Sequence, residues 1–151
     1  DGKVYDMYKF RSMCVGAEHT GSGVYSGAND MRVTKVGRII RATSIDELPQ
    51  LFNIFKGEMS IIGPRPALWN QYDLIEERDK YGANDVMPGL TGWAQINGRD
   101  ELPIDVKARL DGDYVENMGL AFDIKCILGT FGSVAKADGV VEGGTGRNYK
   151  A

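Results

Sequence analysis

Residues 44–55 constrain this chain more than any other stretch. Ser44-Ile45-Asp46-Glu47 has the S-x-x-E spacing of a capping box, in which a hydroxyl and a carboxylate satisfy backbone N–H groups at a helix start. Beyond it Leu48, Leu51, Phe52 and Phe55 recur at i, i+3, i+4 and i+7, the stripe of an amphipathic helix with one buried face. Burial of these side chains would contribute roughly 6–12 kcal/mol before conformational entropy is subtracted. Pro49 lacks an N–H and makes the first turn irregular, so the helix starts either at the box or at Pro49 itself. In both registers Asp46 and Glu47 stand at its amino end.

The rest of the chain reads as one domain around that helix. Its 151 residues are 42% hydrophobic and 26% charged, enough apolar material for a core and against wholesale disorder. A net charge of −3 is too balanced for a dedicated nucleic-acid binder. Cys14 and Cys126 make neither a disulfide framework nor the paired spacing of a zinc site. With His19 as the single histidine, a His-based triad or a multi-His metal centre is excluded. No apolar run reaches the roughly 18–20 residues of a membrane span, and no signal peptide opens the chain.

Residues 3–10 alternate as a strand with aromatic side chains on both faces, Tyr5 on one and Tyr8 and Phe10 on the other. Such a strand wants a neighbour, and the expectation is a hairpin remnant whose partner preceded residue 1. Residues 14–30 read as a loop; its GxGxxxG spacing is not the dinucleotide fingerprint. Asn29 or Asp30 is expected to cap a helix running to Ala42, with Val33, Val36, Gly37 and Ile40 on one face. Gly57 closes the helix after the capping box, and 60–66 follow as an extended segment in which Pro64 and Pro66 stiffen the backbone around Arg65. Helices are predicted from Ala67 to about Tyr81, over 103–117 and over 120–137. The run Glu76-Glu77-Arg78-Asp79-Lys80 is read as a solvated face. Between the first two of these helices, 87–99 is turn-rich, with a short strand at 93–97 and Trp93 as a core or turn anchor. The last helix carries Leu120, Ile124, Ile127, Leu128, Phe131 and Val134 on one broad side, which periodicity alone turns to the core, with an amphipathic placement in the lipid headgroup region as the alternative. The Gly-rich tail at 142–150 carries no packing signal.

The Asp46-Glu47 pair has a plain explanation, since carboxylates at a helix start favour its dipole by about 0.3–1 kcal/mol. Its company points further. Arg38 and Arg41 lie just upstream and Arg65 shortly downstream. Arginine forks bind phosphate bidentately, and an acidic pair with phosphate oxygens is a usual way to hold Mg²⁺. An ionised Asp46 is also a competent nucleophile towards phosphorus.

Four blocks then carry a resemblance: Tyr8-Lys9-Phe10-Arg11-Ser12-Met13; Arg41 to Asn53; Gly57 to Pro66, with Gly63-Pro64-Arg65-Pro66; and Pro88 to Arg99, with Thr91-Gly92-Trp93-Ala94-Gln95. In order and spacing the chain resembles the bacterial sugar transferases, the small monotopic polyprenyl-phosphate phosphoglycosyl transferases. The resemblance implies an enzyme that moves a sugar-1-phosphate from a nucleotide-sugar donor, usually a UDP-sugar, to polyprenyl (undecaprenyl) phosphate. It implies initiation of glycan or polysaccharide assembly at the cytoplasmic face of the bacterial inner membrane. Asp46 matches the family nucleophile that carries a covalent phosphosugar, with Mg²⁺ beside it. Glu47 matches the second acid, a general base or metal partner, and Lys9, Arg41 and Arg65 match phosphate-holding positions.

Relatives also carry an N-terminal membrane hairpin that this sequence lacks, so 1–151 is expected to be the catalytic domain without its anchor, soluble or peripheral by itself. Met87 stands where a basic residue is common. The resemblance turns the last helix outward, into the plane of the membrane. The expected fold is α+β, a mostly helical single domain with the N-terminal hairpin remnant and surface amphipathic helices. A catalytically silent module that binds lipid phosphate or a partner is the alternative; a soluble Mg²⁺-dependent phosphohydrolase lacks a further acidic cluster. Gln95, Asn97 and Arg99 are assigned no role.

Overall fold

Thr34 starts the first helix. Its Oγ1 accepts from the Gly37 N–H at 2.9 Å, an N-cap bond, and α1 runs over Lys35–Ala42. This is later than the predicted start at Asn29 or Asp30. Asp30 instead binds Arg32, its Oδ2 lying 2.6 Å from Arg32 Nη2, and Val33 is held extended by a bridge to Met13. The face is also shifted, because Gly37 and Arg41 are buried whereas Val36 is exposed.

The computed structural model describes residues 3–17, 30–98 and 102–136, the last three by backbone alone. After α1 come a 3-10 turn at Ile45–Glu47, α2 (Gln50–Phe55), β1 (Ser60–Ile62), α3 (Tyr72–Asp79), β2 (Gly89–Thr91), α4 (Trp93–Ile96), α5 (Ile104–Glu116) and α6 (Leu120–Lys136). The α+β expectation holds, with the strands placed differently. β1 and β2 form a parallel pair, Ser60 opposite Gly89 and Ile62 opposite Thr91. Residues 3–10 form no strand; only Met13 makes an isolated bridge. The strand expected at 93–97 is the helix α4, and the pairing residues lie just before it. Gly89 explains the placement: a Cβ there would meet the Gly63 nitrogen at 2.1 Å, so this backbone can approach β1 only as glycine.

α3 packs on α5, and α4 sits against both α5 and α6. The core cluster is Ile62, Tyr114 and Cys126, with Trp93 and Phe122 against it; the two rings meet tilted, centroids 4.9 Å apart. Lys125 places its ammonium 4.3 Å from the Trp93 ring centroid. Trp93 is thus the predicted packing anchor. The tail beyond 136, most of the 14–30 loop and Arg99 lie outside the described residues.

The capping box does not form. Ser44 adopts φ 57°, ψ 18° and makes no side-chain cap bond, while Pro49 becomes the N-cap of α2. The stripe is inverted as well. α2 buries Gln50 and Asn53, whereas Phe52 is 67% and Phe55 88% exposed, with Leu48 and Leu51 also outward. The cause is Asn53: its Oδ1 accepts from the Tyr8 N–H at 3.1 Å and its Nδ2 donates to the Asp6 carbonyl at 2.8 Å, so the polar face holds the N-terminal segment. α6 behaves alike, with Cys126 buried and Leu120, Leu128 and Phe131 exposed, the orientation that the family resemblance implied and periodicity did not. No helix among the described residues is long and apolar enough to cross a membrane.

Two predictions follow from these contacts. A Cβ at Gly37 would meet the Ser12 carbonyl oxygen at 1.9 Å. Gly37→Ala is therefore expected to destabilise by about 1–3 kcal/mol in denaturant titration, against the roughly 1 kcal/mol gain that helix propensity alone gives. The second concerns Glu58, which accepts from Asn53 Nδ2 at 2.7 Å and pairs with Lys56 at 2.8 Å. The Lys56 hydrogen bond first, then that from Asn53, holds the Glu58 carboxyl below its usual value of 4.5. A depressed carboxyl contributes stability that is present above the unfolded value and lost as pH falls through the folded one. The protection factor of the Tyr8 amide against hydrogen exchange is expected to fall on acidification below 4.5, and to lose that dependence in Glu58→Gln.

Candidate active site

A reversal of the chain after α1 brings the acidic pair to one side. Thr43 ends the helix, Ser44 takes the left-handed conformation, and Asp46 and Glu47 follow in the 3-10 turn. The Asp46 carbonyl accepts from the Phe10 N–H at 2.9 Å, which lays the N-terminal segment alongside the turn. Lys9 then reaches Glu47 Oε1 at 3.4 Å. From the opposite direction Arg65, carried after β1 between its two prolines, donates Nη2 to the same oxygen at 2.7 Å. One carboxylate oxygen is thus shared by two cations, each about three-quarters buried at the side chain.

Of the five residues singled out from sequence, Glu47, Lys9 and Arg65 are brought into direct contact. Asp46 is adjacent and 4% exposed. Arg41 is also buried; its Nε donates to Ser12 Oγ at 2.7 Å, so it anchors α1 to the N-terminal segment. Arg38 is on the exposed side of α1.

Glu47 and Arg65 also line a cavity of about 300 Å³, together with apolar Leu48, Ile61, Ile127 and Phe131. Asp46 is not in that lining. Gln95, given no role from sequence, is; its Nε2 donates to the Leu90 carbonyl at 3.2 Å, and its buried Oε1 has no hydrogen-bond partner among the described residues. A cation pair on an acid beside an apolar wall suits a ligand with an anionic head and an apolar or ring-bearing remainder. No cluster of three or more His, Cys, Asp or Glu able to hold a metal occurs among the described residues.

One further pair escaped the sequence reading. Arg78, taken there as part of a solvated charge run, is buried and bound to buried Asp111 of α5 at 2.6 Å. Its spacing of four from Leu74, buried on the same helix, was the available signal.

The family model described as bacterial sugar transferase matches residues 1–137. The uncharacterized sugar transferase EpsL of Bacillus subtilis is 41% identical over 139 residues, covering 92% of this chain and 67% of the relative. The undecaprenyl-phosphate galactose phosphotransferase of Salmonella typhimurium is 37% identical over 153 residues, covering 91% of this chain and 32% of the relative. The UDP-glucose:undecaprenyl-phosphate glucose-1-phosphate transferase of Xanthomonas campestris is 39% identical over 134 residues, covering 84% and 28%. The chain thus spans about two thirds of the first and about a third of the other two.

Proposed function

Because the chain belongs to the bacterial sugar transferase family, we propose that it moves a sugar-1-phosphate from a UDP-sugar to polyprenyl (undecaprenyl) phosphate, releasing UMP and starting glycan assembly. The observation that carries this reading is the contact of Arg65 and Lys9 with Glu47 beside Asp46, at a cavity with an apolar wall. The names of the relatives supply the class of donor and acceptor.

In the proposed reaction an Asp46 carboxylate oxygen attacks the donor's β-phosphorus. The bond from that phosphorus to the bridging oxygen breaks, and UMP leaves with the electron pair. A phosphate oxygen of the polyprenyl acceptor then displaces Asp46 from the same phosphorus. Both substrates are anions approaching a carboxylate, so their approach is repulsive until basic groups offset it; such charge stabilisation is often the largest catalytic contribution. Arg65 and Lys9 fill that role. While they hold Glu47, Asp46 is nearly closed off. An incoming diphosphate competes with Glu47 for both cations, and that exchange admits the donor to Asp46. Glu47, once released, serves as general base or second acid.

The donor set fits Mg²⁺ in its chemistry, hard carboxylate oxygens completed by phosphate. Asp46, with the donor's phosphate oxygens, would hold the ion, which supplies charge neutralisation on the phosphates when bound. Arg41 organises the N-terminal segment beside the turn, and through it Lys9. The outward apolar side chains of α2 and α6 suit the surface of the membrane that holds the acceptor, at its cytoplasmic face, as an in-plane contact. Exposed Leu48, Ile61 and Phe131 continue that surface into the cavity.

The test is to incubate the protein with undecaprenyl phosphate, Mg²⁺ and each common UDP-hexose or UDP-N-acetylhexosamine, following UMP. Release is expected with at least one donor, and Arg65→Ala is expected to lower it roughly 10²–10³-fold. Absence of UMP with every donor would overturn the reading in favour of a silent lipid-phosphate-binding module.

A further inference from the structure

Behind Arg65 lies a second, buried layer. Arg78 and Asp111 are 3% and 1% exposed, and Arg78 directs Nε and Nη2 to the same oxygen, Asp111 Oδ2, at 2.8 and 2.6 Å. Asp111 Oδ1 has no hydrogen-bond partner among the described residues. This departs from the two-oxygen fork that arginine and carboxylate usually form. The remaining arm, Nη1, donates to the Arg65 carbonyl at 2.8 Å. A continuous path results: Asp111 orients Arg78, Arg78 holds the Arg65 backbone, and the Arg65 side chain meets Glu47.

We propose that Arg78 and Asp111 are positioning residues for phosphosugar transfer, fixing Arg65 where it can exchange Glu47 for the donor's phosphates. The proposal rests on the function argued above. Pro66 already restricts Arg65 to extended backbone, so the freedom left to this segment is displacement as a unit. The Arg78 bond removes that freedom. A buried ion pair is poor value as a plain stabiliser, since apolar residues of similar volume usually do as well or better. What apolar residues cannot do is grip a carbonyl on one side while being held on the other. Lysine cannot either, because a single ammonium lacks the rigid fork.

The experiment uses Arg78→Lys and Asp111→Asn, each alone and combined with Arg65→Ala, with UMP release measured well below the melting temperature. Each single change is expected to lower kcat on the order of 10²-fold, the loss a misplacement of about 1 Å produces. In the Arg65→Ala background the same changes are expected to cost less than about twofold more, because residues acting through one partner do not add. Additive losses would overturn the positioning role while leaving the transferase reading intact. Activity-independent evidence comes from the Arg65 Nε–H resonance in ¹⁵N NMR, identified by its disappearance in Arg65→Lys. It is expected to shift in Arg78→Lys, and an unchanged signal overturns the proposal. If no donor yields UMP, the transferase reading fails, and the proposal for transfer fails with it; a shift would then show only the mechanical link.

Discussion

Incubated with a UDP-sugar labelled at the β-phosphate and quenched in acid, the wild-type protein is expected to retain label, and Asp46→Asn none. UMP release in that variant should fall by at least about 10³-fold, beyond the 10²–10³-fold typical of removing one charge-stabilising group. The comparison is sharp because the substitution is small. Asparagine has nearly the volume of aspartate, and the Asp46 contact that shapes the turn is a backbone carbonyl accepting from Phe10, which the substitution leaves in place. A melting curve unchanged from the wild type would show that the fold survives while the nucleophile is lost. Label persisting in Asp46→Asn would remove this residue as nucleophile.

The second large effect is on stability. Asp111→Ala is expected to destabilise by about 3–5 kcal/mol, since it strands the Arg78 charge in the interior. For a chain of 151 residues this corresponds to a melting temperature lower by about 6–20 °C. Burial pushes the Asp111 carboxyl up from its usual value, against the opposing pull of Arg78. Desolvation of this pair is thus considerable, and the apolar replacement Arg78→Met with Asp111→Leu should recover most of the lost stability in calorimetry. That double variant should nevertheless stay poorly active, because nothing then holds the Arg65 carbonyl. A double variant as unstable as Asp111→Ala would show that the pair stabilises the packing of α3 on α5 outright.

The inverted helix α2 shows where sequence reasoning stopped. Leu48, Leu51, Phe52 and Phe55 mark an apolar face at helical spacing, and periodicity measures only that such a face exists. It carries no sign that the medium beyond it is this protein's own interior. Asn53 decided the matter, because its amide meets the backbone of a segment 45 residues away, and that partner has no local signature. Ser44 failed as a cap for a related reason. Glu47, which would have completed the box, is drawn to Arg65 and Lys9, and two charged partners outweigh one backbone N–H. The strand expected at 93–97 moved to Gly89–Thr91 because close approach to β1 selects the glycine, a constraint visible only once β1 is in place.

Local order settled the helical spans 104–116 and 120–136 closely, the stiffness around Arg65, the end of α2 at Gly57 with its φ of 75°, and the adjacency of Asp46 and Glu47. These depend on neighbours in the chain, through backbone geometry and side-chain spacing, and so could be read from the order of residues. Only the tertiary structure decided which helix faces are covered, that Arg41 binds Ser12 while Arg65 and Lys9 take Glu47, and that Arg78 turns inward to Asp111. Charge pairing and burial are properties of distance in space, and residues far apart in sequence acquire them only when the chain has closed.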